Sequence, residues 1–361
     1  MKTSFTSTVS VQTSLRQAMA KAQSDLVKAN TEVTTGVHAD MGVALGGATS
    51  RNIDLTRDVQ RIEAQQTTNS VAKQRLDSSE ESLKRLGDLS QKVLDSLAAL
   101  TSSTSTLGDA RATISNALDA FTDIANTSVT GEYLFSGTNT DVKPLASFSA
   151  SGSPFKAAVD AELNNYLSTN GIAAAKDMTP TQMQTFLDDL QSKFNGTTPL
   201  TDPPHTGLGG QDFWSTFVSD ASSTNMTTRI SATEVVATST TANTPGFRNF
   251  VFASVVGSQF LSDDMPENVR TVISNSATSA IGKAISGIND QRSDIGLSSQ
   301  RVKEADDSLA AQKTIIETHL NDLQGVDAYE ASTRVTSLQA LLEAAYTLTS
   351  RIQKLSLVNF L

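Results

Sequence analysis

Side chains that could perform chemistry are few in this sequence and lie far apart. The chain has no cysteine, and its three histidines are His38, His205 and His319. Catalysis and metal binding need several such groups at one place, and the known motifs place them at short spacings. No H-x-x-x-H pair, calcium loop, Walker A loop or serine-hydrolase elbow occurs. The sequence therefore offers no catalytic, cofactor-binding or metal-binding residue, and it predicts that no cofactor is used.

Two short segments look like ligand-binding motifs but have simpler explanations. Gly207-Leu208-Gly209-Gly210 lacks the third glycine and the flanking strand of a dinucleotide-binding loop. Asp263 and Asp264 could contact a cation, but an acid shortly before Pro266 is better explained as the start of a helix. We expect neither segment to be a site.

Composition excludes several classes of partner. The chain has 361 residues, enough for two or three domains, and a net charge of −10, which disfavours nucleic acid and anionic membrane as partners. No apolar run approaches the roughly 20 residues of a membrane span. Residues 1–10 are rich in Ser and Thr and lack the apolar segment of a secretory signal. We expect any export to proceed without a cleaved signal peptide.

The elements that remain to be explained are long helices at both ends of the chain. All eight prolines lie between Pro144 and Pro266, so proline breaks no helix outside that region. Each end carries an apolar column with a seven-residue repeat, which predicts two long, paired helices. The columns comprise Leu55, Ile62, Leu76, Leu83 and Leu97, and Ile281, Ile288, Ile295, Val302, Leu309, Ile316 and Leu323. Two matching rods favour an assembly role over catalysis.

The first helix, which carries Val11 to Val33 and stops near Gly36, and the last helix, at about 327–357, each have an apolar stripe. The stripes can be buried against each other in an ordinary bundle, or against other copies of the chain in a polymer. Their position at the termini favours the polymer, because chain ends are poorly ordered unless something holds them. The predicted assembly interface consists of Val11, Leu15, Ala18, Ala22, Leu26, Ala29 and Val33, and of Val335, Leu338, Leu342, Ala345, Ile352 and Leu355.

The middle of the chain is predicted to be a separate domain of mixed structure. Residues 145–262 hold ten of the fourteen Phe residues and the only Trp, which indicates a small core of their own. Thr179-Pro180 predicts a helix start, whereas 229–236 and 249–256 have the composition of strands, and 36–50 that of a loop. The predicted domains are 1–50 with 325–361, 51–144 with 264–324, and 145–263.

Three segments resemble the flagellin superfamily and, within it, the hook-associated protein 3 family. They are Met1-Lys2-Thr3-Ser4-Phe5 with its helix end Thr31-Glu32-Val33-Thr34-Thr35-Gly36, then Gly131-Glu132-Tyr133-Leu134-Phe135-Ser136-Gly137-Thr138, and finally Leu355-Ser356-Leu357-Val358-Asn359-Phe360-Leu361. Residues 37–50 depart from the family's usual P-S-D-D-P loop. The opening also differs from the M-A-x-x-I-N-T-N of flagellins, which favours the junction family over the filament protein.

The resemblance implies a flagellin-like fold that is mainly α with a mixed α/β middle: terminal coiled-coil helices, a long helical rod domain and a proline-containing outer domain. It implies a structural, non-enzymatic protein of the extracellular flagellum, linking hook to filament. The implied partners are other copies of the chain in a ring, the first hook-associated junction protein, flagellin and an export chaperone for the C-terminal helix. Two alternatives stay open, a flagellin filament subunit and a surface module that binds a glycan or a host partner.

Overall fold

The computed structural model describes residues 8–101 and 106–358, and side chains from 10 to 100 and from 106 to 351. The mainly α fold with a mixed middle is confirmed. In chain order the helices are α1 (Thr8–Thr35), α2 (Met41–Leu45), α3 (Thr49–Thr101), α4 (Leu107–Ala125), α5 (Pro154–Thr169), α6 (Pro180–Phe194), α7 (Pro245–Val255), α8 (Glu267–Gln324) and α9 (Ala328–Val358). Two antiparallel hairpins pair β1 (Ser128–Val129) with β2 (Glu132–Tyr133), and β3 (Thr227–Arg229) with β4 (Val235–Ala237).

The chain divides into two compact units. The first unit combines the residues up to Ala64 with those from Ser308 onward, and the second spans Gln65–Asp307. Helices α3 and α8 each contribute residues to both units. The division into three domains made from the sequence remains a prediction.

In the second unit, the predicted seven-residue columns form the seam of an antiparallel helix pair. Leu76, Leu83 and Leu97 of α3 are fully buried, as are Ile281, Ile288 and Val302 of α8. Arg292 of α8 donates a hydrogen bond to Glu80 of α3 over 2.7 Å at one edge of the seam. A repeat of 3.5 residues per turn keeps each apolar column turned toward its partner helix, which is why the pattern predicted this pairing.

The aromatic middle of the chain does not form a separate core. One continuous buried cluster joins the seam of α3 and α8 to the Phe-rich segments. Phe121 of α4 stacks on Phe250 of α7 with ring centroids 3.8 Å apart, and Phe247 meets Phe121 edge-on at 5.2 Å. The prediction of an independent core was wrong, because α4, which precedes the proline-containing region, supplies part of the surface against which these rings pack.

Residues 249–256, predicted as a strand, lie in helix α7 and the π-helical turn that follows it. Pro245 occupies the first turn of the helix, after Thr244 in extended conformation. The residues from Asn249 to Val255 are all buried. A helix that is covered on every side loses the polar face that marks a helix in sequence, so its Phe- and Val-rich run resembles a strand.

Three other local predictions had different outcomes. The helix start at Thr179 is confirmed, since its hydroxyl accepts from the backbone N–H of Gln182 and the Gln182 side chain returns to the Thr179 N–H. Residues 229–236 form the β3–β4 turn and parts of both strands rather than one strand. The loop predicted at 36–50 instead contains α2, capped by Asp40, and a 3-10 turn at Gly46–Ala48.

Candidate assembly interface

Helices α1 and α9 pack against each other within one chain, in the first unit. The Gln23 side-chain amide donates to the Tyr346 hydroxyl over 2.6 Å, and the Thr349 hydroxyl lies 3.9 Å from Met19 Sδ. Residue numbers rise along α1 as they fall along α9, so the pair is antiparallel. The two stripes therefore meet each other within the chain, as in the bundle alternative.

Burial along the pair is uneven. Ala22 and Ala29 of α1 and Leu342 of α9 are buried, together with Ala331, which the sequence analysis missed although it lies one turn before Val335. Half-buried side chains flank them, namely Leu15, Leu26, Val335, Leu338 and Ala345. Val11, Ala18 and Val33 are exposed, and the side chains of Ile352 and Leu355 lie outside the described part. The pair thus buries the middle of each predicted stripe but only part of its apolar surface.

A second apolar strip lies on α9 beside the buried side. Leu341 and Leu348 are 53% and 48% exposed, and the half-buried Leu338 and Ala345 lie between them and α1. We call these four residues the outer flank. Their spacing of three, four and three residues places them on one side of a helix. On α1, by contrast, the exposed Val27 lies nearly opposite the buried Ala29.

The chain segments that join the helix pair to α3 and α8 are tied together by Glu32, a residue that the sequence analysis did not single out. Its almost fully buried carboxylate accepts from Arg334 at 3.2 Å and from the Ala39 N–H at 3.2 Å. Backbone hydrogen bonds run from His38 N–H to Gln324 and from Val326 N–H to Gly36. Gly36 has φ +73°, a conformation that favours glycine. Glu32 therefore holds the end of α1 to the first turns of α9 and to the loop that leads into α2.

The three histidines lie in different surroundings. The His38 ring is 3.7 Å from Glu32, His205 is buried beside Glu162, and His319 is exposed on α8. Among the described residues, no three His, Asp or Glu side chains are grouped so that they could hold a metal ion. Within the same residues, no helix is both long and apolar enough to cross a membrane.

The regions that match known protein families lie at the two ends of the chain. Residues 6–140 match the bacterial flagellin N-terminal helical region, and residues 278–361 match the bacterial flagellin C-terminal helical region. No curated protein matches the chain.

The fold is similar to a solved structure assigned as a flagellar hook-associated protein from Vibrio parahaemolyticus. The TM-score is 0.50 at 13% sequence identity, and the alignment covers 77% of this chain and 97% of the other. At that identity the likeness concerns the fold alone. The terminal regions carry the assignment, and by them this chain belongs to the bacterial flagellin family.

Proposed function

We propose that this protein is a junction subunit between the flagellar hook and the filament, assembling through α1 and α9. Members of its family are structural proteins that assemble into flagellar polymers. The junction role goes further, and it rests on the motifs at the two ends and at 131–138. The similar fold of a protein assigned as hook-associated agrees with it.

The observation that carries the assembly role is the incompletely covered α1–α9 pair. The outer flank leaves two leucines about half exposed on one side of α9, and Val11 and Val33 of the α1 stripe are exposed as well. Burying apolar surface contributes roughly 25 cal/mol per Å², so a contact repeated at every subunit of a polymer accumulates stability along its length. The stripe residues and the outer flank are the proposed contact with neighbouring subunits.

The proposed partners follow from this role. They are other copies of the chain in a ring, the first hook-associated junction protein on one side and flagellin on the other, with an export chaperone for α9 before assembly. The protein would act outside the cell, after export without a cleaved signal peptide, and without catalysis.

A flagellin filament subunit is the alternative, and electron microscopy separates the two roles. The purified chain is placed in ammonium sulfate, which strengthens the burial of apolar surface. A junction subunit should remain monomeric or form short aggregates, and should join structures only when hooks and the first junction protein are added. Long, smooth filaments formed by this protein alone would contradict the junction role and favour the filament subunit.

A further inference from the structure

A buried group of ionisable side chains in the second unit takes no part in the assembly interface. Lys193 at the end of α6 donates hydrogen bonds to Glu162 of α5 at 2.6 Å and to Asp189 at 2.8 Å. The His205 ring nitrogen Nε2 lies 3.0 Å from the second carboxylate oxygen of Glu162. Lys193, Glu162 and His205 are all at least nine-tenths buried. One carboxylate therefore holds a lysine on one side and a histidine on the other.

The histidine belongs to a closed loop, residues 200–211, which we call the strap. Its ends are joined by backbone hydrogen bonds from Leu200 N–H to Gln211 and from Gly210 N–H to Leu200. Between these ends the side chains are exposed, apart from His205, which is buried, and Pro204 and Leu208, which are half-buried. Leu200 at one end of the strap is buried as well, and between the two ends His205 is the one buried side chain.

Aromatic side chains lie beneath the strap. The His205 ring is 5.1 Å from the Phe217 ring and 6.4 Å from that of Phe213, measured between centroids. The adjacent Trp214, the chain's only tryptophan, is fully buried. Withdrawal of His205 would therefore open a path from solvent to an aromatic surface.

We propose that the strap is an acid-released latch, which opens when the Glu162 carboxylate is protonated and then uncovers the aromatic surface beneath it. Histidine side chains are cationic in acid, and Lys193 stays cationic as well. Burial alone would lower the pKa of Lys193, but hydrogen bonds to Asp189 and Glu162 outweigh it and raise that pKa. With Glu162 neutral, a protonated His205 has lost its carboxylate partner, and Lys193 keeps only the half-exposed Asp189. A buried charge that loses its partner is strongly unfavourable.

The surrounding charges do not replace Glu162. Asp189 is about half exposed, and it accepts its hydrogen bond from Lys193. Residues 213–217, which pack under the histidine, carry no ionisable group, and Arg248 of α7 lies over the Trp214 ring and donates to the Phe194 carbonyl. Within the strap, Asp202 accepts from the Gly207 N–H. The closed strap therefore requires an ionised Glu162 and is lost once that carboxylate is protonated.

Hydrogen exchange of the full chain tests the latch at about pH 7 and about pH 4. Protection factors are compared, because they divide out the pH dependence of chemical exchange itself. We expect the amides of Leu200, Leu208 and Gln211 to lose at least about tenfold in protection at the lower pH, and the α6 amides less than about threefold. Unchanged strap protection, or an equal loss in α6, would overturn the proposal.

A pair of variants tests the role of the second cation. His205→Gln keeps an N–H donor for Glu162 but cannot become charged, so its strap should lose less than about threefold in protection at pH 4. His319→Gln, which removes an exposed histidine on α8, should respond as the wild type does. A strap in His205→Gln that opens as far as in the wild type would exclude the two-cation latch.

Discussion

The side-chain amide of Asn69 donates a hydrogen bond to the Asp306 carboxylate at 2.7 Å, across the pair of α3 and α8. Asn69 is fully buried and stands on the seven-residue column, midway between Ile62 and Leu76. It also donates to the Ile230 carbonyl at 3.0 Å. Only one alignment of the two helices satisfies these bonds, so a buried polar residue at a seam position specifies register. The same side chain also positions the residue that follows β3.

Asn69→Ala should lower the midpoint of urea unfolding. The substitution leaves the Ile230 carbonyl and the Asp306 carboxylate without this donor, and such losses cost about 1–3 kcal/mol. Asn289→Ala, at an exposed position on the same helix pair, is the matched control and should change stability by less than about 0.5 kcal/mol. Equal midpoints for the two variants would show that the buried amide contributes nothing to the pairing.

Gly246→Ala should destabilise the contact between α7 and α8. A Cβ atom at Gly246 would lie 2.8 Å from the backbone of Gly287 and Ile288, closer than packed atoms allow. Overpacking of this kind costs about 1–3 kcal/mol. Gly282→Ala, on the same helix α8, meets nothing within 4 Å and should stabilise the helix by about 0.5–1 kcal/mol. Thermal unfolding measures both, and a loss of stability in Gly282→Ala as large as that in Gly246→Ala would refute the close contact.

Stability at alkaline pH should depend on Lys193. Burial opposes its charge, yet hydrogen bonds to Asp189 and Glu162 raise its pKa above the usual value. A raised folded pKa contributes stability that is fully present below the unfolded pKa, about 10.4, and is lost as pH rises through the folded value. Lys193→Met should be less stable than the wild type at pH 7, but its stability should fall less between about pH 9 and 11.5.

The exposed pair of Lys156 and Asp160 provides the control for that experiment. Lys156 lies 3.1 Å from Asp160 on the surface of α5, where water screens the interaction. Lys156→Met should therefore retain the alkaline stability loss of the wild type. If the stability of Lys193→Met fell with pH as much as that of the wild type and of Lys156→Met, the alkaline loss of stability could not be assigned to Lys193.

Glu32→Ala should loosen the helix pair of α1 and α9. The change removes the bonds to Arg334 and to the Ala39 N–H and should cost about 1–3 kcal/mol in the first unit. Glu330→Ala removes another carboxylate partner of Arg334, one that is exposed on the surface of α9, and should cost less than about 1 kcal/mol. Hydrogen exchange of α1 amides reports the difference, and faster exchange in Glu330→Ala than in Glu32→Ala would be inconsistent with the buried contact.

The sequence predicted the long helices because their apolar columns repeat over many turns, so that a few irregular residues do not hide the period. The start at Thr179 was predictable because capping is local chemistry. Helix α7 was missed because full burial removed its polar face. The role of Glu32 depends on Arg334, 302 residues away, which only the return of the chain brings near. The spacing of Leu338, Leu341, Ala345 and Leu348 places the outer flank on one side of α9 in the sequence. The apolar stripe of α9 is wide, however, so the sequence did not indicate which part of it would remain exposed.

The central claim is that the α1–α9 pair is the assembly surface, and motility tests it most directly. Leu341→Asp and Leu348→Asp place a charge on the outer flank and leave the buried side of the helix pair unchanged. Val27→Asp is the control, because it places the same charge on an exposed apolar position of α1, on the side of the helix opposite the buried Ala29. In a strain that lacks its own copy, the first two variants should be exported but leave the cells non-motile, with the protein soluble in the medium. Val27→Asp should restore swimming. Normal motility with Leu341→Asp and Leu348→Asp combined would contradict the account.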